Sequence, residues 1–398
     1  MKILNQSSLI QGVTISIPFS KSISNRALII NALSGYTGKI NNLSTARDTQ
    51  TMLRLLKSDE RILDVLDAGT TMRFLTAYFS ITNQPKILTG TERMQQRPIG
   101  ILVDALREIG GTINYLKKEG FPPIRINGLI QKNSEISIRG DVSSQYISAL
   151  LMIAPMLERG LSLTLVGKIG SKPYIDMTLA LMKHYGVQSE WIENVIKIKP
   201  QHYISAEVTV EPDWSGASYW YSLVALSNNG RIDLEGFRKD SIQGDQVIAD
   251  IMQNLGVETK YMDSGIELTH KDHLKEVSID FTDCPDLVQT VAVVCAAKGI
   301  KCTMTGLASL KIKETNRVKA LQIELAKIGA VLEERMNQWI LSPSLELPSR
   351  VEINTYDDHR MAMAFAPLCL LMDVGIDDES VVDKSYPSFW TDVAKVCS

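Results

Sequence analysis

The sequence predicts an α/β (α+β) fold assembled from repeated small units, and three observations carry that expectation. Six segments share one pattern: VTISIPFSKSISNRALI, ILDVLDAGTTMRFL, EISIRGDVSSQYISALL, EVTVEPDWSGASYWYSL, EVSIDFTDCPDLVQTVAVV and VEINTYDDHRMAMAFA. Each passes from a β-branched run of period two, through a short polar loop, into helical periodicity. They begin near Val13, Ile62, Glu135, Glu207, Glu276 and Val351. Most intervals are therefore roughly seventy residues, too long for a solenoid repeat and right for an α/β unit with two helices. Three junctions fall before Pro212 and three after it, which gives two pseudo-equivalent lobes.

The lobes are expected to be 19–212 (N-terminal) and 1–18 with 213–398 (C-terminal), with chain crossings near 18–20 and 211–214. Two joining segments allow hinge closure around a ligand. The first interval is closer to fifty residues, so one unit has lost a hairpin or a helix relative to its siblings.

In chain order, Ser20 or Ser22 can cap a helix that runs to Gly35, with Ile23, Ala27 and Ile30 facing the core and Lys21 and Arg26 flanking its positive end. DAGTTMRF offers Gly69 for close backbone approach, with Thr70 and Arg73 as donors, and Arg97 precedes a proline suited to a helix start. VSSQYIS and SKPYIDMTL place Ser143, Ser144, Gln145, Ser171 and Tyr174 at helix starts, and the second of those helices is expected over 176–185, ending at Gly186. TDCPDLVQT sets Asp286 just inside a helix begun by Pro285. In LKIKETNRVKAL, Lys313, Glu314 and Arg317 fall within one helical turn, where two cations four apart repel unless an anion lies between them. The apolar stripe Val318, Leu321, Leu325 and Ile328 ends at Gly329. Glu314 can donate a proton if burial outweighs its cationic neighbours. Asp358, His359 and Arg360 share the last junction, and Lys384 sits in a turn near the end. Taken singly, each motif also has an ordinary reading as a cap, a glycine turn, a dipole partner or a solvated charge.

Composition narrows the ligand. The 398 residues are 44% hydrophobic with a net charge of −3, and the conspicuous basic residues come one or two per junction, which suits a small polyanion and argues against nucleic acid. The five cysteines lie in the last third, in no CxxC pair, so no disulfide framework is expected, and Cys284 reads as inert filler. No apolar run approaches the ~20 residues of a membrane span, MKILNQSSLI is a poor signal peptide, and a reducing cytoplasm is expected. There is no His pair at metal-ligand spacing, no P-loop and no GxGxxG.

Taken together and in order, SKSISNR, AGTTMR, RMQQRPIG, SSQYISALL, SKPYIDMTL, QGD at 243–245, CPD, KETNR, DDHRMAM and DKSYPSF resemble the EPSP synthase (3-phosphoshikimate 1-carboxyvinyltransferase) family over nearly the whole chain. The resemblance implies an inside-out α/β barrel of two lobes, each of three βαβαββ units whose helix N-termini point into the interlobe cleft. It implies transfer of an enolpyruvyl group from phosphoenolpyruvate to the 5-hydroxyl of shikimate 3-phosphate, with no cofactor and no metal. Lys21, Asp286 and Glu314 then match the catalytic positions, Asp286 taking the hydroxyl proton and Glu314 protonating the enol methylene. Lys21, Ser22, Arg26, Ser143, Ser144, Gln145, Ser171, Tyr174, Asp286, Ser309 and Lys313 match the shikimate 3-phosphate set. Lys21, Gly69, Arg97, Gln145, Arg317, Arg360 and Lys384 match the phosphoenolpyruvate set. The expected partners are those two small molecules, with no nucleic acid, no membrane and no second protomer.

The chain is short between Leu55 and Asp67, where the family normally carries a further stretch of strand and loop, so the resemblance implies a trimmed first unit in the N-terminal lobe. In addition, Asp67 and Phe74 replace Asn and Pro around the AGT turn, Phe19 stands where Gly is common, and Ser309 occupies the place of an Asn. Altered sensitivity to glyphosate, an inhibitor of the family, is the expectation from Asp67 and Phe74. Two other readings compete. The related UDP-N-acetylglucosamine carboxyvinyltransferases commonly use a cysteine in the first half of the chain, and residues 1–283 contain none. A noncatalytic anion-binding relative would need neither Asp286 nor Glu314.

Overall fold

The computed structural model of the chain describes every residue except Asn83, Asn337, Leu345 and Ser398. The chain divides into two compact units, Met1–Phe19 with Glu211–Ser398, and Ser20–Val210. Phe19 forms a β-bridge to Pro212, which keeps both ends of the chain crossing in the first of these units.

Four sheets share one topology. In the unit 20–210, Ile62–Asp64 runs parallel to Lys86–Thr89, which pairs antiparallel with Ile124–Leu129, itself antiparallel to Gly111–Tyr115. The same order recurs in Glu135–Arg139, Leu161–Val166, Val195–Ile198 and Glu190–Ile192. In the other unit it recurs in Glu276–Asp280, Lys301–Thr305, Gln338–Ser342 and Val331–Arg335, and in Val13–Ile15, Arg231–Glu235, Gly265–His270 and Val257–Met262. Each sheet is thus a parallel pair with a hairpin folded back on the second strand. A helical crossover joins the pair in three of them, whereas the chain passes through the whole unit 20–210 between Val13–Ile15 and Arg231–Glu235.

The two remaining sheets are reduced. Arg350–Ile353 runs parallel to Asp373–Ile376, and Lys2–Leu4 completes that sheet. Among the described residues Glu207–Thr209 pairs only with Lys39–Asn41. The shortening expected between Leu55 and Asp67 is the loss of a hairpin, because helix Arg47–Leu56 is followed directly by strand Ile62–Asp64 of the next sheet.

Sequence pattern explains which layer lies inside. The strands alternate, as in Ile124–Leu129, where Ile124 and Ile126 are buried while Arg125 and Asn127 face outward. The first helix of each repeat is buried over most of its surface. Every residue of Trp214–Leu226 except Ser215 is buried, as is every residue of His359–Phe365 and all but Ala297 of Val288–Ala297. Lys21–Leu33, Gly69–Ile81 and Ser144–Ile153 play this part in the other unit. The second helices, such as Gly100–Ile109 and Ile248–Leu255, bury one face only. Each unit therefore carries its helices inside and its sheets outside. Among the described residues no helix is long and apolar enough to cross a membrane.

Helix starts follow their cues closely. Ser20, not Ser22, caps the helix Lys21–Leu33 by accepting from the Ile23 amide. The helix expected over 176–185 spans Lys172–His184, because Pro173 in its first turn fits the helix start as well as Asp176 does.

Candidate functional site

Polar candidates collect where buried helices begin. In the unit 211–398 the hub is Asp286, in the turn Pro285–Leu287 that leads into Val288–Ala297. Arg317 Nη1 donates to Asp286 Oδ1 at 2.9 Å, and Arg360 Nη2 donates to Oδ2 at 2.8 Å. Lys313 Nζ lies 3.6 Å from Oδ1. Arg317 also donates Nη2 to Glu314 Oε2 at 2.8 Å and grips Asp358 through Nε at 2.6 Å and Nη2 at 3.2 Å. Asp358 is fully buried and caps the helix His359–Phe365 by accepting from the Arg360 amide at 3.0 Å. Lys384, at the end of the turn Glu379–Lys384, puts Nζ 3.6 Å from Glu314 Oε1. It is 2% exposed, which overturns its reading as a solvated surface lysine.

One local expectation fails here. Residues 313–316 are not helical, because Asn316 caps the helix Arg317–Lys327 by accepting from the Lys319 amide. Lys313 and Arg317 converge regardless, and the anion between them is Asp286.

The charges tune one another. Burial alone would raise the Asp286 carboxyl, but Arg360, Lys313 and Arg317 together outweigh it and hold the group well below the usual carboxylate range. Burial lowers Lys313, with Asp286 opposing. Asp245, which accepts the Ser215 hydroxyl, is pushed up to about 6 by burial and then by the charge of Asp286. Burial also raises the Cys284 thiol, leaving it a poor nucleophile.

In the unit 20–210 the candidates form linked groups. Lys21 Nζ donates to the buried Asp48 at 3.1 Å, and the Asp48 carbonyl accepts the Thr71 hydroxyl. Gly69 opens the helix Gly69–Ile81, and a Cβ there would lie 2.5 Å from Arg73 Nη1 and 2.6 Å from Arg97 Nη1. The glycine thus makes room for two guanidiniums. Arg97 is buried; Arg73 lies over the Tyr146 ring, and its Nε and Nη1 have no hydrogen-bond partner among the described residues. Gln145 donates to the Thr70 hydroxyl at 2.9 Å, tying the helix Ser144–Ile153 to this turn. Ser143 caps that helix. Asp67 is paired with Arg47.

Arg26 is committed internally. Its guanidinium donates to Thr178 Oγ1, Ser148 Oγ and the carbonyls of Ser22 and Tyr174, which locks three helices together. Phe74 lies under the same guanidinium, with 5.5 Å between Cζ and the ring centroid. Ser171 is no ordinary cap: it is left-handed at φ 54°, with no side-chain capping bond. Left-handed residues also precede two other helix starts, at Leu66 and at Tyr356 and Asp357. Such strain gathers at working sites. Ser309 is half-buried in the turn Ala308–Ile312.

Sequence reasoning missed Asp48, Arg47 and the Ser148–Thr178 pair. Asp48 carried a weak cue as an acidic residue in a first turn, which reads as a dipole partner. Among the described residues no group of three His, Cys, Asp or Glu is placed to hold a metal ion.

Comparison with known proteins agrees with the motif order. The family model for EPSP synthase (3-phosphoshikimate 1-carboxyvinyltransferase) matches residues 4–58 and 54–393, its two pieces meeting where the hairpin is missing. A 3-phosphoshikimate 1-carboxyvinyltransferase of Bacteroides fragilis is 50% identical over 388 residues, covering 96% of this chain and 94% of that protein. One from a Sulfurovum species is 37% identical, covering 96% of each. The solved EPSP synthase of Acinetobacter baumannii superposes with a TM-score of 0.78 at 19% identity, covering 99% of this chain and 97% of that one, and so shares the fold.

Proposed function

The chain belongs to the EPSP synthase (3-phosphoshikimate 1-carboxyvinyltransferase) family, and we propose that it transfers the enolpyruvyl group of phosphoenolpyruvate to the 5-hydroxyl of shikimate 3-phosphate, releasing phosphate. The observation that carries this reading is that Asp286 and Glu314 are held by one guanidinium, Arg317. Addition and elimination through a tetrahedral ketal needs such a pair, because the acceptor hydroxyl gives up a proton and the enol methylene takes one.

In this reading Asp286 is the base and Glu314 the acid. The cations on Asp286 make it a weak base. A phosphate or carboxylate bound on Arg317, Arg360 or Lys313 competes for those cations and raises the basicity of Asp286, so the base strengthens only as anionic substrates engage. Phosphoenolpyruvate is assigned to Lys21, Gly69, Arg97, Gln145, Arg317, Arg360 and Lys384, with Arg73 as a second guanidinium beside Gly69. Shikimate 3-phosphate is assigned to Lys21, Ser22, Ser143, Ser144, Gln145, Ser171, Tyr174, Ser309 and Lys313, with Arg26 fixing the helices that present them. The same reading has the enzyme act as a cytoplasmic monomer on small molecules alone.

The test is phosphate release from phosphoenolpyruvate, with shikimate 3-phosphate and UDP-N-acetylglucosamine as parallel acceptors. Release with shikimate 3-phosphate only is expected. Release with the nucleotide sugar instead would reassign the substrate. Binding without release from either would make the protein a noncatalytic relative.

A further inference from the structure

All five cysteines are free thiols, but their surroundings differ. Cys284 is buried alone, and Cys295 and Cys302 face one another in the sealed interior, both at 0% exposure. Cys369 and Cys397 form a second pair with Sγ atoms 3.9 Å apart. Cys369 lies in the turn Ala366–Leu370 and is buried, while Cys397 follows the helix Phe389–Val396 and is partly exposed.

The backbones of this pair are held by one short segment. The Ser7 amide donates to the Cys369 carbonyl, Leu9 bridges to Cys397, and the Ile10 amide donates to the Val396 carbonyl. The two sulfurs therefore meet beside a strap that holds both backbones, and a bond of about 2.05 Å requires them to close by about 2 Å.

We propose that Cys369 and Cys397 are a redox modification site at which a hydroperoxide forms a reversible disulfide. The accessible member, Cys397, attacks first. Its thiol is lowered by the hydrogen bond from Cys369, against burial, whereas Cys369 is raised by the same contact. The Cys397 thiolate attacks the peroxide O–O bond, forming a sulfenic acid and releasing hydroxide or alkoxide, which takes a proton. The Cys369 sulfur then attacks the sulfenic sulfur, the S–O bond breaks, and water leaves with the Cys369 proton. Two thiols have supplied the two electrons that reduce the peroxide. The bond closes a loop from 369 to 397 that contains Lys384, and it ties the C-terminal helix to the turn behind the buried helices.

The experiment treats the reduced full chain with a small excess of hydrogen peroxide, blocks remaining thiols with iodoacetamide and maps peptides by mass spectrometry. The expected result is a monomer that has lost two hydrogens, with the 369 and 397 peptides linked, the other three cysteines unoxidised, reversal by dithiothreitol, and an unfolding temperature raised by roughly 4–10 °C. Cys397→Ser is expected to abolish the product, and Cys369→Ser to leave a Cys397 sulfenic acid that dimedone traps. Cys397 disulfides between chains, or a Cys397 sulfinic acid with Cys369 still free, would overturn the proposal.

Discussion

The Asp67 carboxylate rests on the Arg47 guanidinium, whose Nη2 reaches Oδ1 at 3.2 Å and Oδ2 at 3.1 Å. Asp67 stands just before the turn that sets Gly69 against Arg73 and Arg97, where an uncompensated negative charge would oppose an anion. Arg47→Ala is therefore expected to raise the KM for phosphoenolpyruvate, by about fivefold at most because the pair is partly exposed. Asp67→Asn should change it little, and the double variant should recover most of the loss. Added salt should shrink the effect. Equal losses in Arg47→Ala and the double variant would show that Arg47 does not act through Asp67. Glyphosate inhibition left unchanged in Asp67→Asn would remove Asp67 from any account of altered sensitivity.

Asp245 supplies a pH test with a defined sign. Burial and then the Asp286 charge push it up to about 6, so folding favours its protonated form. That contribution to stability is complete below the unfolded value near ~4 and is lost as pH rises through about 6. Asp245→Asn stays neutral and escapes the loss, and an amide can still accept the Ser215 hydroxyl. The unfolding temperature of the variant relative to the parent should thus rise between pH 4 and pH 6 and level off above. A pH-independent difference would mean that Asp245 does not titrate in this window.

Much of the fold was legible because the repeat writes itself in periodicity: alternation marks the strands, and glycine ends helices at Gly186 and Gly329, both with positive φ. The candidate residues were legible as an ordered set of motifs. What escaped is non-local. Lys384 looks like a turn lysine until the fold buries it beside Glu314, seventy residues earlier in the chain. Arg26 looks like a free cation at a helix start, yet its partners Ser148 and Thr178 lie 122 and 152 residues away. Residues 313–316 read as helix by spacing, and the Asn316 side chain decides otherwise by capping one turn later. The left-handed Ser171 leaves no trace in composition, since serine at a helix start reads as a cap.

Glu314→Gln separates proton delivery from binding. Gln keeps the size and an oxygen for Arg317 but cannot give a proton to the enol methylene. If Glu314 is the acid, kcat should fall by about 100- to 10,000-fold while KM for both substrates stays within a few-fold. A fall in kcat below about tenfold would assign Glu314 to holding Arg317 and Lys384 rather than to chemistry.

Gly69→Ala probes the paired guanidiniums of Arg73 and Arg97. The new methyl group would lie 2.5 Å from Arg73 Nη1 and 2.6 Å from Arg97 Nη1, closer than any stable contact. Both atoms are at the far ends of flexible side chains, so the guanidiniums shift and the helix stays intact. Gly69 is the first residue of its helix, so alanine brings at most a fraction of the roughly 0.5–1 kcal/mol that it adds in a helix interior. Stability and anion binding should therefore part company, with an unchanged or higher unfolding temperature beside a phosphoenolpyruvate affinity weaker by about tenfold, the scale of one displaced charged hydrogen bond. Calorimetric titration with phosphoenolpyruvate and thermal unfolding on the same preparation measure both. A variant that binds like the parent would show that Arg97 does not hold the ligand from the position it occupies beside Gly69.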